Sequence, residues 1–117
     1  MSMLDTYRNN LLRKREEAAK LNQDLAKEQA KIAPLQQKII SANAAIGRTK
    51  SASTIKSKLN EIERANKAIA DTQKKVGDIQ KKLAQKEKEI AAAEKTYHNE
   101  ETKVNKKAAD AEKKRIQ

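Results

Sequence analysis

Apolar residues recur at every seventh position along most of the chain. From Leu4, every seventh residue through Ile46 is apolar, and from Ile55 every seventh residue through Ala111 is apolar. Heptad spacing sustained over more than three or four repeats is typical of helices that pack against each other in a coiled coil. The pattern therefore predicts an all-α protein built from two long helices.

The two series define a helix–helix seam. Lys14 and Glu28 interrupt the first series at its companion positions. The companion series of the second helix, four residues after each spine residue, runs from Leu59 to Glu94 and is mostly polar, and Ala65, Ile79 and Ala93 flank the spine instead. The seam is therefore narrow and suits contact between two helices. We predict a seam formed by Leu4, Leu11, Leu25, Ile32, Ile39, Ile46, Ile55, Ile62, Ile69, Val76, Leu83, Ile90 and Tyr97.

The seven-residue spacing is lost between Ile46 and Ile55, which are nine positions apart. Glycine can adopt the left-handed conformation that ends a helix, and serine is a favoured N-cap, with Ser51 placed well to begin the next helix. We therefore expect a first helix over 1–46, a bend over 47–54 and a second helix over 55–117, folded as an antiparallel hairpin. A domain-swapped arrangement, in which the bend opens and the helices pair between chains, is the alternative. The candidate bend residues are Gly47, Ser51, Ser53 and Thr54.

Folding the chain back at this bend aligns both apolar series in one register. That register places Lys14 beside Glu87 and Ala42 beside Leu59. Pro34 removes a backbone donor inside the first helix, and because it lies off the seam we expect a kink there rather than a break.

The second helix is longer than the first. Residues beyond about 98 have no partner within the hairpin, yet Val104 and Ala111 continue the apolar series. A long helix without a partner is marginal in water. We therefore expect Val104 and Ala111 to form an extension that contacts a second copy, with a dimer as the expected assembly. The alternative is that this end of the helix frays.

Composition is consistent with this class. Of 117 residues, 37% are charged and 2% aromatic, and the net charge is +11. Lysine is interleaved with glutamate along both helices, so we expect no dedicated nucleic-acid binding, although a basic module for nucleic acid or another anionic partner is the alternative function. The apolar residues are used in the seam, so we expect no membrane binding.

Candidate chemistry is sparse. His98 is the single histidine, cysteine is absent, and neither glycine belongs to a phosphate-binding loop. We expect no catalytic residue, cofactor or metal in this chain. The carboxylates lie at helix-surface spacing from lysines, in the pairs Glu16/Lys20, Glu63/Lys67, Asp71/Lys75, Asp78/Lys82 and Asp110/Lys114.

The bend segment also carries a family resemblance. Ile46-Gly47-Arg48-Thr49, Ser51, Ser53-Thr54-Ile55-Lys56, Lys58-Leu59 and Glu61-Ile62 resemble the N-terminal helical region of a group of bacterial TIR-domain proteins. The resemblance implies that a TIR domain with NAD-cleaving or host-signalling-interfering activity would follow, outside this chain. It further implies a location in the bacterial cytoplasm, with delivery into a host cell, and other TIR proteins as partners of the missing domain.

These observations predict a coiled-coil oligomerisation module that brings a downstream domain together. A further alternative is an adaptor that binds a partner helix along the seam near Lys14 and Glu28.

Overall fold

The structure is a computed structural model that describes residues 2–116. It contains three helices, α1 (Met3–Gln29), α2 (Ile32–Gly47) and α3 (Ala52–Ile116), and no strand occurs in the described range. The predicted all-α class is confirmed.

The chain divides into two compact units. The terminal unit comprises residues up to Lys20 and from Lys82 onward, and the bend unit comprises Leu21–Lys81. In the bend unit, α2 and the first part of α3 form an antiparallel hairpin joined by residues 48–51. In the terminal unit, α1 and α3 are also antiparallel, because residue 14 pairs with residue 89 while residue 17 pairs with residue 86.

The apolar spine residues that recur every seven positions face inward on each helix. All thirteen residues of the predicted seam are buried or half-buried. So are the charged residues that interrupt it, Lys14 and Glu28. Val104 and Ala111, the predicted extension, are exposed.

The predicted polar companion series of α3 does not face inward, whereas Ala65, Ile79 and Ala93, which were expected to flank the spine, are buried or half-buried. Leu59 and the four residues at heptad spacing after it are exposed, with only Glu94 half-buried. The buried or half-buried series instead lies three residues after each spine residue. It comprises Lys58, Ala65, Thr72, Ile79, Lys86, Ala93 and Glu100.

Small residues dominate the interior. The buried hydrophobic residues are Leu11, Leu83 and Ala93 in the terminal unit, and Ala42 and Ala65 in the bend unit. No side chain in the described range is less than 2% exposed. The accessible surface is 8959 Å², whereas a compact monomer of 13.1 kDa exposes about 6400 Å². The stability of these helices therefore depends on a thin contact stripe.

The first predicted helix is two helices. The helical ladder is interrupted at Ala30 and Lys31, where the Lys31 N–H donates to the Glu28 carbonyl, 3.1 Å away, in a tighter turn. Pro34 accounts for this break, because it has no N–H for the Ala30 carbonyl and its ring clashes with that carbonyl in a continuous helix. Pro34 instead lies in the first turn of α2, where a missing donor costs little.

The bend also differs from the prediction. Gly47 has no positive φ and is the last residue of α2, and Arg48 turns the chain with φ −102° and ψ −2°. The Arg48 N–H donates to the Ala45 carbonyl at 3.1 Å. The left-handed glycine is therefore replaced by a tightened right-handed turn, and non-helical structure is confined to 48–51.

Ser51 is the N-cap of α3. Its Oγ accepts a hydrogen bond from the Thr54 N–H at 3.3 Å, and its carbonyl accepts the first helical bond, from the Ile55 N–H at 3.0 Å. Ser53 and Thr54, predicted as bend residues, lie in the first turn of the helix. The serine fixes where α3 begins because it satisfies a donor that has no intrahelical partner.

Substitution of Pro34 with Ala is expected to join α1 and α2. The new donor can reach the Ala30 carbonyl, so unfolding free energy should rise by about 1 to 3 kcal/mol, the range set by the helix penalty of proline. Amide hydrogen exchange at Ile32 and Ala33 should slow. Pro34→Gly is the control, because it restores the donor but keeps a helix penalty of about 1 kcal/mol relative to Ala. Unchanged exchange in both variants would show that Pro34 does not cause the break.

Substitution of Ser51 with Ala is expected to destabilise α3 at its start. Loss of the cap should lower the free energy of unfolding by about 1 kcal/mol, measured by urea denaturation. Ser57→Ala is the matched control, because Ser57 is exposed within α3 and alanine favours helix there. Equal destabilisation by both changes would rule out a capping role.

Candidate interaction surfaces

Three ion pairs join α1 to α3 in the terminal unit. Lys14 Nζ lies 2.9 Å from Glu89 Oε1, Arg15 Nη2 lies 3.0 Å from a Glu94 oxygen, and Lys86 pairs with Glu17. Lys14 is therefore beside Glu89, and the predicted partner Glu87 is wrong. The offset follows from the inward series of α3, which brings residue 86 rather than residue 87 inward.

These pairs shift the pKa of their members. The hydrogen bond from Lys86 lowers the pKa of Glu17 below its ordinary value of 4.5. The hydrogen bond from Lys14 does the same for Glu89, and the Glu17 carboxylate raises the pKa of Lys86 above 10.5. The charged forms are thus favoured at neutral pH, and the pairs help to specify the register of α1 on α3.

In the same unit, Tyr97 of α3 contacts Arg8 near the start of α1. A hydrogen bond with the Tyr97 side chain raises the pKa of the Arg8 guanidinium, and Asp5 lies 3.4 Å from that guanidinium. His98 is not part of this contact: it is exposed and lies 3.7 Å from Glu101.

The polar positions of the seam are largely satisfied within the chain. Lys14 is 19% exposed and bonded to Glu89. Glu28 accepts a bond from Lys31 through Oε1 at 2.9 Å, while Oε2 is buried without a hydrogen-bond partner. Lys14 is already paired with Glu89. If the chain is an adaptor for a partner helix, Glu28 is therefore the seam residue that still has an oxygen available for a hydrogen bond.

The bend unit has an open groove between α2 and α3. Pro34 and Leu35 line one end of it, and Ala42 and Ala65 lie along it. The Lys58–Glu61 ion pair, 3.0 Å long, borders the groove. Its mixture of small and charged side chains lacks the convergent polar groups and apolar walls of a small-molecule site.

A different face of the bend unit is free of charge. At three neighbouring heptad positions from Asn22 to Gly47 the side chains are only alanine, asparagine, glutamine, isoleucine and glycine, and all of them are exposed, whereas Lys27, Lys31 and Lys38 are exposed at the adjoining positions. Ile40 is 60% exposed within it. We call this the uncharged face, comprising Asn22, Gln23, Ala26, Gln29, Ala30, Ala33, Gln36, Gln37, Ile40, Asn43, Ala44 and Gly47.

The end of α3 is the other large exposed surface. Every residue from 102 to 116 is exposed, and Val104 is 41% exposed. This segment belongs to the terminal unit, and none of its side chains is buried against another described helix.

The carboxylate–lysine pairs predicted at i,i+4 spacing are not ion pairs within 4.0 Å in residues 2–116. Those that form along one helix are mostly at i,i+3, such as Arg8 with Asp5 and Arg115 with Glu112. Over the same residues, no cluster of three or more His, Cys, Asp or Glu is arranged to hold a metal ion. No described helix has the length and apolarity needed to cross a membrane.

Comparison with known proteins gives no relative: no family model, no curated protein and no solved structure matches this chain.

The interhelical ion pairs predict acid sensitivity. Both Glu17 and Glu89 have folded-state pKa values below the ordinary 4.5. Their contribution to stability is therefore present above pH 4.5 and is lost as pH falls through the folded-state values. The urea midpoint should fall between pH 7 and pH 3, and Glu17→Gln/Glu89→Gln should reduce that fall.

Glu16→Gln/Glu63→Gln is the control for this experiment, because both residues are exposed and lie in no ion pair among the described residues. It changes the net charge equally and should leave the pH-dependent fall as it is in the unaltered chain. If both double variants behave alike, general charge and not these pairs sets the acid sensitivity.

Proposed function

We propose that this chain is a helical oligomerisation module that brings copies of a downstream domain together. The observation that carries the proposal is the uncharged face of the bend unit. In a chain with 37% charged residues and a net charge of +11, twelve exposed positions of that face carry no charge.

Charge explains why that face suits a second copy of the chain. Copies with a net charge of +11 repel each other, so contact through charged surfaces is unfavourable. Glutamine and asparagine each offer donors and acceptors, so the same amide-rich face can bond to itself. Alanine between the amides permits close approach, and Ile40 supplies exposed apolar surface within the face.

A dimer contact on the bend unit leaves the end of α3 available. Val104 and Ala111 continue its heptad series and are exposed, which supports a second contact between copies there. Linking two domains in this way raises their effective concentration for each other without a new contact between the domains themselves.

The resemblance of the bend segment to bacterial TIR-domain proteins supports a TIR domain as the downstream domain, which we call the cargo. In that case the NAD-cleaving or signalling activity belongs to the cargo, this chain carries no catalytic residue, and its location is the bacterial cytoplasm or a host cell that receives the protein. The resemblance rests on residues 46–62, of which 48–51 form the turn and Ser51 caps α3.

The test is an Ile40→Lys variant studied by sedimentation equilibrium from about 2 to 200 μM, a range that brackets typical weak homodimers. A lysine on the uncharged face should weaken dimerisation at least about tenfold, because it must be desolvated in the contact. Leu59→Lys is the matched control: Leu59 is 53% exposed in the same unit, outside that face, and the change adds the same charge. It should leave the dissociation constant unchanged.

Two outcomes would contradict the proposal. If the unaltered chain is a monomer throughout this range, it does not oligomerise through this surface. If both lysine variants weaken association equally, net charge rather than the uncharged face controls it. Circular dichroism of both variants should match the unaltered chain, since both sites are exposed.

A further inference from the structure

The last part of α3 carries its lysines on one side. From residue 88 to residue 114, seven lysines fall within an arc of about 120° when the helix is projected at 3.6 residues per turn. All seven are exposed. We call this the lysine face, formed by Lys88, Lys95, Lys103, Lys106, Lys107, Lys113 and Lys114.

These lysines have no ionic partner among residues 2–116. None of the seven lies within 4.0 Å of a carboxylate in the part of the chain that the structure describes. Two acidic residues share the arc: Glu89, which is bonded to Lys14, and Asp110. The face is therefore a concentration of uncompensated positive charge within one unit, and it lies on a single helix.

We infer that the lysine face binds the phosphate backbone of double-stranded DNA without regard to sequence. From Lys88 to Lys114 the helix advances about 39 Å at 1.5 Å per residue. That length exceeds one turn of duplex, about 34 Å, so the row of lysines meets phosphates of both strands along its length. A straight helix against a stiff duplex makes these contacts with little loss of conformational freedom.

The rest of the face selects this partner over others. Between the lysines lie small polar or apolar residues, such as Ala92, Thr96 and Asn99, with no bulky apolar side chain to enter a membrane interface. Tyr97 and His98 project outside the arc, so no aromatic ring is placed to stack on the bases of a single strand. Arg115 is also outside the arc and is bonded to Glu112 at 2.8 Å, so no arginine fork on the face reads a base edge.

This inference differs from the expectation drawn from the sequence. Read in order, the chain shows lysine interleaved with glutamate, and the glutamates suggest compensation. In the structure, Glu94 faces Arg15, and Glu112 faces Arg115. These acidic residues lie on other sides of α3 and already have partners, so they do not neutralise the lysine face.

The test is fluorescence anisotropy of a labelled 24-base-pair duplex with the 117-residue chain, at NaCl concentrations from 50 to 200 mM. Binding should weaken with salt, with a log–log slope of up to about −6 if all seven lysines release a counterion. Lys95→Gln/Lys106→Gln/Lys113→Gln should lower the affinity at least about tenfold and reduce the slope by about 3, since each lysine–phosphate contact contributes about 1.

Lys20→Gln/Lys27→Gln/Lys56→Gln is the matched control. These lysines are exposed, lie in no described ion pair, and their replacement lowers the net charge by the same three units. This variant should keep the slope of the unaltered chain and most of its affinity. Glutamine is nearly as good a helix former as lysine, so circular dichroism should show the same helix content in all three proteins.

Competing partners are measured alongside: a 24-nucleotide single strand, vesicles with 30% anionic lipid, and heparin. Tighter binding to duplex than to the single strand and the vesicles, lost in the face variant alone, supports the inference. An equal loss in the control variant overturns it, because net charge would then suffice. Tighter binding to the single strand, to vesicles or to heparin also overturns it and assigns the face to that partner.

Discussion

The thin apolar stripe on each helix is the constraint on which the rest of the structure depends. The stripe consists of one spine residue and one companion residue per seven, and many of the companions are alanine, threonine or charged. Such a stripe buries little area, so two helices can satisfy each other but cannot form the centre of a large bundle. Everything outside the stripe is left to solvent or to partners.

This constraint gives the charged residues two different tasks. Lys14 and Lys86 occupy companion positions of the stripe and pair across the helices with Glu89 and Glu17, which adds specificity to a contact that has little bulk. Elsewhere the charges are sorted by side of the helix. One side of α2 carries none, and one side of the end of α3 carries lysine with few acidic neighbours. We assign the uncharged face to a second copy of the chain and the positively charged lysine face to a polyanion.

The helices and their inward faces could be predicted from sequence because heptad spacing determines which residues share a face. Two features could not. The first is the break at Pro34. Because Pro34 lies off the seam, the heptad pattern suggests only a kink, but Pro34 has no N–H for the Ala30 carbonyl and the helix is interrupted at residues 30 and 31. The second is the polar part of the inward series of α3: Ala65, Ile79 and Ala93 could be expected beside the spine, whereas Lys58, Thr72 and Lys86 carry no apolar signal that marks them as inward.

The two surfaces were missed for a related reason. Reading residues in order averages charge along the chain, whereas a helix separates neighbours by about 100°. Projecting residues 88–114 on a wheel would have shown the lysine face from sequence alone. What the wheel does not contain is the pairing of Arg15 with Glu94, residues 79 positions apart, which decides which acidic groups are already used.

The short turn at 48–51 has a kinetic consequence. It brings the ends of α2 and α3 together with only four residues to order, so the entropy of closing this loop is small. The contacts of the terminal unit join residues 69 to 79 positions apart and would close a far longer loop if they formed first. Once the turn has formed, each further contact closes only a short additional loop. We expect contacts between the helices to form first near Ser51 and then progressively farther from the turn. The chain should therefore fold faster than the large sequence separation of its native contacts would suggest.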